Sequence, residues 1–265
     1  MFDSGFGGLT VARAFIDLLA GEDLVYVADT GRYPYGPRPL DEVAGFAHQI
    51  AGHLIAHHDV KLLVVACNTA TAAALASLQD ALPIPVVGVI APGVRSLVRV
   101  TETGRVGVIA TVGTVRSGAY ARAMAATGVD VDLTIAACPG FVEFVERDET
   151  DTDQVVVLAE RLLAPVVDAK VDALLLGCTH YPFLARTLSD VVGRDVVLVS
   201  SAEETAFEVR ALLEGHAVGG PQVGANQPGH LGTHRFISSG DIDRFRQLGA
   251  RLLGPELTVA DRAPW

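Results

Sequence analysis

The chain has 265 residues, half of them hydrophobic and only 19% charged, enough for one large or two modest buried cores and unlike a disordered protein. A formal charge of −11 without a basic cluster excludes phosphate-backbone binding as a primary role; Arg95, Arg99 and Arg105 read as a solvated face. No apolar run approaches a membrane span and no leader-like segment opens the chain, while three widely spaced cysteines indicate neither a disulfide scaffold nor a zinc ribbon, so a reducing cytoplasm is expected.

Short apolar, β-branched runs alternate with segments of helical periodicity. In chain order, Leu24–Ala28 reads as a strand, Leu40–His57 as a helix, Leu62–Ala66 as a strand and Ala70–Leu82 as an alanine-rich helix stopped by Pro83 and Pro85. Then come a strand at Val86–Ile90, a helix over 92–101, a strand at Val106–Ala110, a helix at Thr114–Thr127 and a strand at Val131–Ala136. Glu160–Val167 reads as a helix, Ala173–Leu176 as a strand, Phe183–Val192 as a helix, Val196–Val199 as a strand and Ala202–Leu213 as a helix. Residues 215–233, rich in Gly and Pro, read as a mobile loop before a late strand at Phe236–Ser239 and a capped helix at Asp241–Leu253. This order predicts an α/β protein with mainly parallel sheets.

Two cysteines stand in matched frames. Leu62-Leu63-Val64-Val65-Ala66 leads to Cys67-Asn68-Thr69, and Ala173-Leu174-Leu175-Leu176-Gly177 leads to Cys178-Thr179-His180. Each thiol follows an apolar strand and a small residue, and polar side chains then open a helical segment. The match extends upstream, because Asp3 precedes Cys67 by 64 residues (67 − 3) and Thr111 precedes Cys178 by 67 (178 − 111). Two pseudo-symmetric α/β lobes are therefore expected, the first from residues 1–91 plus 205–265 and the second from 92–204. Their strand ends, where α/β sheets bind ligands, should face one another across an inter-lobe cleft.

A helix N-terminus favours thiolate, so both sulfurs are placed to ionise; for either cysteine alone, burial as a small hydrophobe is the commoner fate. Cys138 lacks the frame and reads as structural. Asp3-Ser4-Gly5-Phe6-Gly7-Gly8 reads as a turn whose amides could nest an anion. A dinucleotide fingerprint is its nearest misreading, with Asp29 as the acidic partner, but Thr10 stands where the third glycine belongs. Pro34-Tyr35-Gly36-Pro37 is a rigid turn offering amides and a phenol beside Asp29. His48, His53, His57 and His58 read as exposed, whereas His180 could help Cys178 ionise or carry its proton. Cys67, Cys178 and His180 match no zinc spacing, and no metal site is expected.

Together these stretches resemble the glutamate racemase family of the cofactor-independent aspartate/glutamate racemase superfamily. The resemblance rests on Phe2-Asp3-Ser4-Gly5-Phe6-Gly7-Gly8-Leu9-Thr10-Val11, Asp29-Thr30-Gly31-Arg32-Tyr33-Pro34-Tyr35-Gly36-Pro37-Arg38 and Ala66-Cys67-Asn68-Thr69-Ala70. It continues through the Cys138-Pro139 to Val145-Glu146 stretch, Leu176-Gly177-Cys178-Thr179-His180-Tyr181-Pro182 and Ser200-Ser201-Ala202-Glu203-Glu204-Thr205. It implies a two-base interconversion of L- and D-glutamate for peptidoglycan synthesis, without a cofactor. The position of Cys67 would take the α-proton of D-glutamate and that of Cys178 the α-proton of L-glutamate. Asp3 would assist Cys67, and Glu146 and His180 would assist Cys178. Ser4, Tyr35, Gly36, Asn68, Thr69 and Thr179, with Asp3 and His180, would hold the substrate. The resemblance also implies a homodimer and allows a DNA gyrase-inhibiting role.

Two departures from the family pattern carry expectations. The family begins with an apolar strand ahead of the Phe-Asp-Ser turn, whereas this sequence begins at Met1. A start assigned too late is expected to leave a central sheet position empty, with Asp3 and Ser4 hanging from a free terminus. Gly140 and Glu143 stand where Leu and Pro are usual; Glu143 reads as surface decoration, and facing the substrate it would repel glutamate. Other substrates of the superfamily (aspartate, a hydantoin, maleate) remain open at this point. The second thiol opposes a one-thiol decarboxylase, and the paired thiols and the lack of a leader-like segment oppose a two-lobe solute binder.

Overall fold

The computed structural model describes residues 1–215 and 231–265, which fall into two compact units, Met1–Val89 with Ala202–Trp265, and Ile90–Ser201. The loop expected over 215–233 lies largely outside the described residues.

In the first unit, β1 (Phe2–Asp3), α1 (Leu9–Leu18), β2 (Leu24–Ala28), α2 (Leu40–His57), β3 (Leu63–Val65), α3 (Asn68–Ala81) and β4 (Val86–Gly88) follow in order. The second unit runs through α4 (Ile90–Val100), β5 (Arg105–Ala110), α5 (Val112–Arg116), α6 (Ala119–Ala126), β6 (Asp132–Ala137), α7 (Phe141–Glu146) and α8 (Asp153–Asp168). It ends with β7 (Ala173–Gly177), a 3-10 turn at Tyr181–Leu184, α9 (Ala185–Val192) and β8 (Val197–Val199). The chain then returns to the first unit with α10 (Ala202–Glu214), β9 (His234–Ser238), α11 (Ile242–Leu253) and β10 (Asp261–Arg262).

The first sheet has the order β10-β9-β2-β1-β3-β4 and the second β6-β5-β7-β8, with every pairing parallel. The parallel α/β architecture expected from the alternation is therefore present. In each sheet the unit's first strand is central, its second strand lies on one side and its third on the other. The carboxyl ends of β1 and β3, and of β5 and β7, are thus topological switch points, where α/β sheets bind ligands.

Side-chain alternation along a strand explains the layering. Val27 of β2 packs with Val43, Ile50 and Leu54 of α2 and Leu78 of α3, while the next-door Tyr26 stacks on Phe245 of α11. In the second unit Leu175 of β7 approaches Gly93 of α4, whereas Leu174 lies beside Gly107 of β5, which faces Val166 of α8. Each fully buried Leu, Ile or Val of these layers contributes about 1.5–3 kcal/mol relative to exposure.

Several expectations from sequence need correction. The central position of the first sheet is not empty, because Phe2–Asp3 fill it as a two-residue strand. Phe2 pairs with Val27 and Val65, and the Met1 amine donates to the Val25 carbonyl at 2.9 Å. The Thr114–Thr127 helix is two helices, parted at Gly118, which adopts a left-handed φ of 67°. The strand expected at Val86–Ile90 stops at Gly88, and Ile90 already begins α4. The helix expected at Glu160–Val167 starts at Asp153, where the Thr152 hydroxyl accepts from the Val155 amide at 3.4 Å. The Phe183–Val192 helix is a 3-10 turn followed by α9. Of the four histidines read as exposed, only His57 is; His53 lies between the rings of His57 and Trp265.

Candidate active site

Cys67 follows β3 and is the N-cap of α3, its backbone extended and its sulfur accepting the Ala70 amide at 3.5 Å. The alanine-rich run from Asn68 propagates this helix until Pro83 and Pro85 end it. The Cys67 thiol lies 3.7 Å from the Ser4 hydroxyl, and Asn68 and Thr69 are buried in the first turn. The expectation that the helix terminus makes a ready thiolate fails here. Burial and then the Asp3 charge push the Cys67 thiol up to about 12, outweighing the Ala70 amide and the Ser4 hydroxyl and amide that pull it down.

Asp3 is fixed rather than hanging. Its Oδ2 accepts the amides of Gly5 at 3.1 Å and Gly8 at 3.0 Å, so the glycine turn read as an anion nest folds around Asp3 itself. Tyr26 steadies the same turn by donating its phenol to the Gly5 carbonyl at 2.9 Å. A Cβ on Gly8 would lie 2.6 Å from the Asp3 Cβ and 2.8 Å from the Tyr26 hydroxyl, which explains the glycine there.

Asp29 follows β2 beside this turn, and its amide donates to the Asp3 carbonyl at 2.9 Å. Its carboxylate accepts Arg32 Nε at 2.7 Å and the Tyr35 hydroxyl on Oδ2, and Ser239 Oγ at 2.6 Å on Oδ1. A ribose partner is thereby disfavoured, since both oxygens serve the protein. Burial and the Asp29 charge hold the Tyr35 phenol far above its ordinary range, so it remains a donor. What the Pro34–Pro37 turn can still offer a substrate is backbone: the amides of Tyr35 and Gly36.

In the second unit Cys178 is buried just beyond β7, and its sulfur lies 3.9 Å from His180 Nδ1. His180 Nε2 lies 3.3 Å from Glu146 Oε1 at the end of α7, so thiol, imidazole and carboxylate form a relay. The helix carrying Glu146 was not read from sequence; it is six residues long and follows an N-cap at Gly140, whose φ of 92° favours glycine. Tyr181 clamps this corner, donating its phenol to the Cys138 carbonyl at 3.0 Å and meeting the Phe141 ring edge-on at 5.4 Å. Thr179 is buried beside them. Glu143 is exposed, and Cys138 is buried with its thiol pushed up to about 12 by desolvation. The other central strand of this sheet, β5, is followed by Thr111, whose Oγ1 lies 2.9 Å from Thr114 Oγ1.

Asp3, Ser4, Cys67, Asn68 and Thr69 are thus brought together in one unit, with Tyr35 and Gly36 on the turn after the neighbouring strand. Glu146, Cys178, Thr179 and His180 are brought together in the other. Sequence reading missed the clamping roles of Tyr26, Asp29, Ser239 and Tyr181, because hydrogen bonds between distant buried side chains leave no local pattern. Among the described residues no group of three or more His, Cys, Asp or Glu side chains is arranged to hold a metal ion.

Two parallel sheets, each with a buried thiol just beyond its unit's third strand, place the protein in the α/β class. The chain belongs to the Asp/Glu/hydantoin racemase family, whose model matches residues 9–208. It is 49% identical over 257 residues to a glutamate racemase of Acidothermus cellulolyticus, covering 97% of this chain and 95% of that one. A crystal structure of a Bacillus anthracis glutamate racemase superposes with a TM-score of 0.89 at 39% identity, covering 99% of this chain and 94% of the other. A Francisella tularensis glutamate racemase in complex with D-glutamate gives a TM-score of 0.88 at 31% identity, covering 99% and 95%. Among the described residues no helix is long and apolar enough to cross a membrane.

Proposed function

We propose that this protein is an isomerase that interconverts L- and D-glutamate without a cofactor and supplies D-glutamate for peptidoglycan synthesis. The observation that carries the reading is the matched placement of Cys67 and Cys178, each beyond the third strand of a sheet whose first strand is central.

Inversion at a carbon by proton transfer needs one base deprotonated on one face and an acid protonated on the other. With D-glutamate, Cys67 takes the α-proton as thiolate and Cys178 returns its own proton to the opposite face; L-glutamate reverses the roles. Asp3 assists Cys67 by accepting the thiol proton, which frees a sulfur that burial otherwise keeps neutral. His180, backed by Glu146, does the same for Cys178. The amides of Tyr35 and Gly36, with Ser4, Asn68, Thr69 and Thr179, hold the substrate's carboxylates and ammonium. Fixed donors around a desolvated carbanion lower its cost where water would have to reorganise.

Circular dichroism at one wavelength, on reduced full-length protein with D- or L-glutamate and no additive, tests the reading. Both traces should decay to zero, and the α-proton should exchange in deuterated water. Exchange of aspartate but not glutamate, or flat traces from folded protein, would overturn it. The reading extends to the cytoplasm as the site of action, in keeping with three free thiols, and to a homodimer. Sedimentation of the purified chain tests the dimer. A gyrase-inhibiting contact is proposed beside the enzyme from the family resemblance, and a supercoiling assay with a Cys67→Ser variant separates the two roles.

A further inference from the structure

We infer that Asp29 is a positioning residue, which sets the affinity for substrate by bracing the Tyr35-Gly36 turn against a late segment of the chain. The inference rests on the reading in which that turn's amides hold a substrate carboxylate.

Residues 30–39 contain no helix or strand that would fix them. Their backbone bonds are local, from the Arg32 amide to the Asp29 carbonyl at 3.1 Å and from the Arg38 amide to the Tyr35 carbonyl at 3.1 Å. A loop held only by such bonds would sample many conformations, and each amide would have to be ordered when substrate binds. The Asp29 carboxylate removes that freedom. It is fully buried, and each of its oxygens accepts two donors. Oδ2 takes Arg32 Nε and the Tyr35 hydroxyl, both from the turn. Oδ1 takes Ser239 Oγ at 2.6 Å and Trp265 Nε1 at 3.5 Å, from residues 210 and 236 positions further along the chain. One carboxylate therefore bridges the turn to the far end of the fold.

The surroundings reinforce the brace. Ser239 Oγ also accepts the Gly31 amide at 2.9 Å, and Thr30 Oγ1 lies 2.6 Å from Ser238 Oγ while accepting the Gly240 amide at 3.0 Å. Arg32 spans from Asp29 to Gln49 Oε1 at 2.6 Å with its guanidinium over the Phe46 ring at 4.2 Å, and so ties the turn to α2 as well. A Cβ on Gly31 would lie 2.9 Å from the Ser239 carbonyl, so the two segments touch at backbone distance. Neither Asp29 nor Trp265 need touch the reacting carbon; both act through the placement of Tyr35 and Gly36.

Asp29→Asn keeps size but turns one acceptor oxygen into a donor, which must then face donors already in place. Amides that hold a carboxylate act alike on bound substrate and transition state, so the glutamate KM should rise about tenfold with kcat within about twofold. A purely structural role predicts the opposite split, a lower kcat per mole of protein as the folded fraction falls, with KM unchanged. Ser239→Ala and Trp265→Phe each remove one donor conservatively and should raise KM about threefold, which keeps the test alive if Asp29→Asn folds poorly. Tyr35→Phe combined with Asp29→Asn should raise KM no further than the larger single effect, since both break one brace. An unchanged KM in folded Asp29→Asn, or independent effects in the double variant, overturns the inference and leaves the racemase reading intact. A wild-type protein inert toward glutamate overturns both.

Discussion

The surroundings of Cys67 and those of Cys178 differ although the flanking sequences match. Cys67 caps a fourteen-residue α-helix and takes its amide, so its support is a helix terminus and a nearby carboxylate. Cys178 is followed by a 3-10 turn and leans on an imidazole–carboxylate relay carried from a separate short helix. The carboxylate of the first pair is wrapped in the amides of its own turn, whereas that of the second reaches its thiol through His180. Similar flanks therefore conceal different surroundings. In the first unit burial and the Asp3 charge raise the cost of ionising the thiol; in the second an imidazole lies 3.9 Å from the sulfur.

The largest effect expected from this comparison is on the thiols themselves. Cys67→Ser and Cys178→Ser should each lower racemisation by about 10³-fold, because a hydroxyl is a far weaker base at neutral pH. A variant retaining wild-type rate would show that its thiol is a packing residue and that the pair is no pair.

Next is the charge beside Cys67. Asp3→Asn keeps an oxygen for the Gly5 and Gly8 amides but removes the anion, so the thiolate is favoured and the ionisation of Cys67 should fall below about 12. Alkylation rate against pH, in a background where Cys138 and Cys178 are serine, reads it directly. A midpoint that stays or rises would remove Asp3 as a cause.

Glu146→Gln sharpens the contrast from the other side. An enantiomer pair has an equilibrium constant of one, so kcat/KM must fall equally in both directions, by about tenfold. The asymmetry appears instead in the isotope effect. With α-deuterated substrate, the effect should grow for L-glutamate, the enantiomer whose proton Cys178 is proposed to take, and shrink for D-glutamate. Equal changes in both would mean that Glu146 does not serve Cys178 in particular.

The smallest effect lies one residue before each sulfur. Ala66 and Gly177 look interchangeable, yet a Cβ at 177 would lie 2.7 Å from the Ile109 carbonyl and 2.8 Å from Tyr120. Gly177→Ala should cost about 1–3 kcal/mol by overpacking, against roughly 0.5–1 kcal/mol for Ala66→Gly from backbone entropy. Urea melts of the two variants would decide it.

Much of this molecule was legible in its residues. Apolar runs such as Leu24–Ala28 and Ala173–Leu176 read as buried strands and are strands, and the matched cysteine frames pointed to a repeated α/β plan. The helices with local signals were equally plain, as at Asp241, whose side chain accepts the Arg244 amide at 3.0 Å and starts α11. Boundaries failed where the signal was one residue deep, as at Gly118 and Thr152. The expected ease of Cys67 ionisation failed for another reason. A helix N-terminus can be read locally, but the burial and the Asp3 charge that outweigh it are fields from residues more than sixty positions away.

Residue pattern alone therefore determined the element types, the repeated plan and which side chains end the central strands. Tertiary structure decided what each side chain does there. It turned the glycine nest inward onto Asp3, committed the Tyr35 phenol to Asp29 and brought Ser239 and Trp265 across the fold to the same carboxylate. Periodicity and capping are short-range properties of a chain, whereas desolvation and hydrogen-bond partnership exist only once distant segments are packed together.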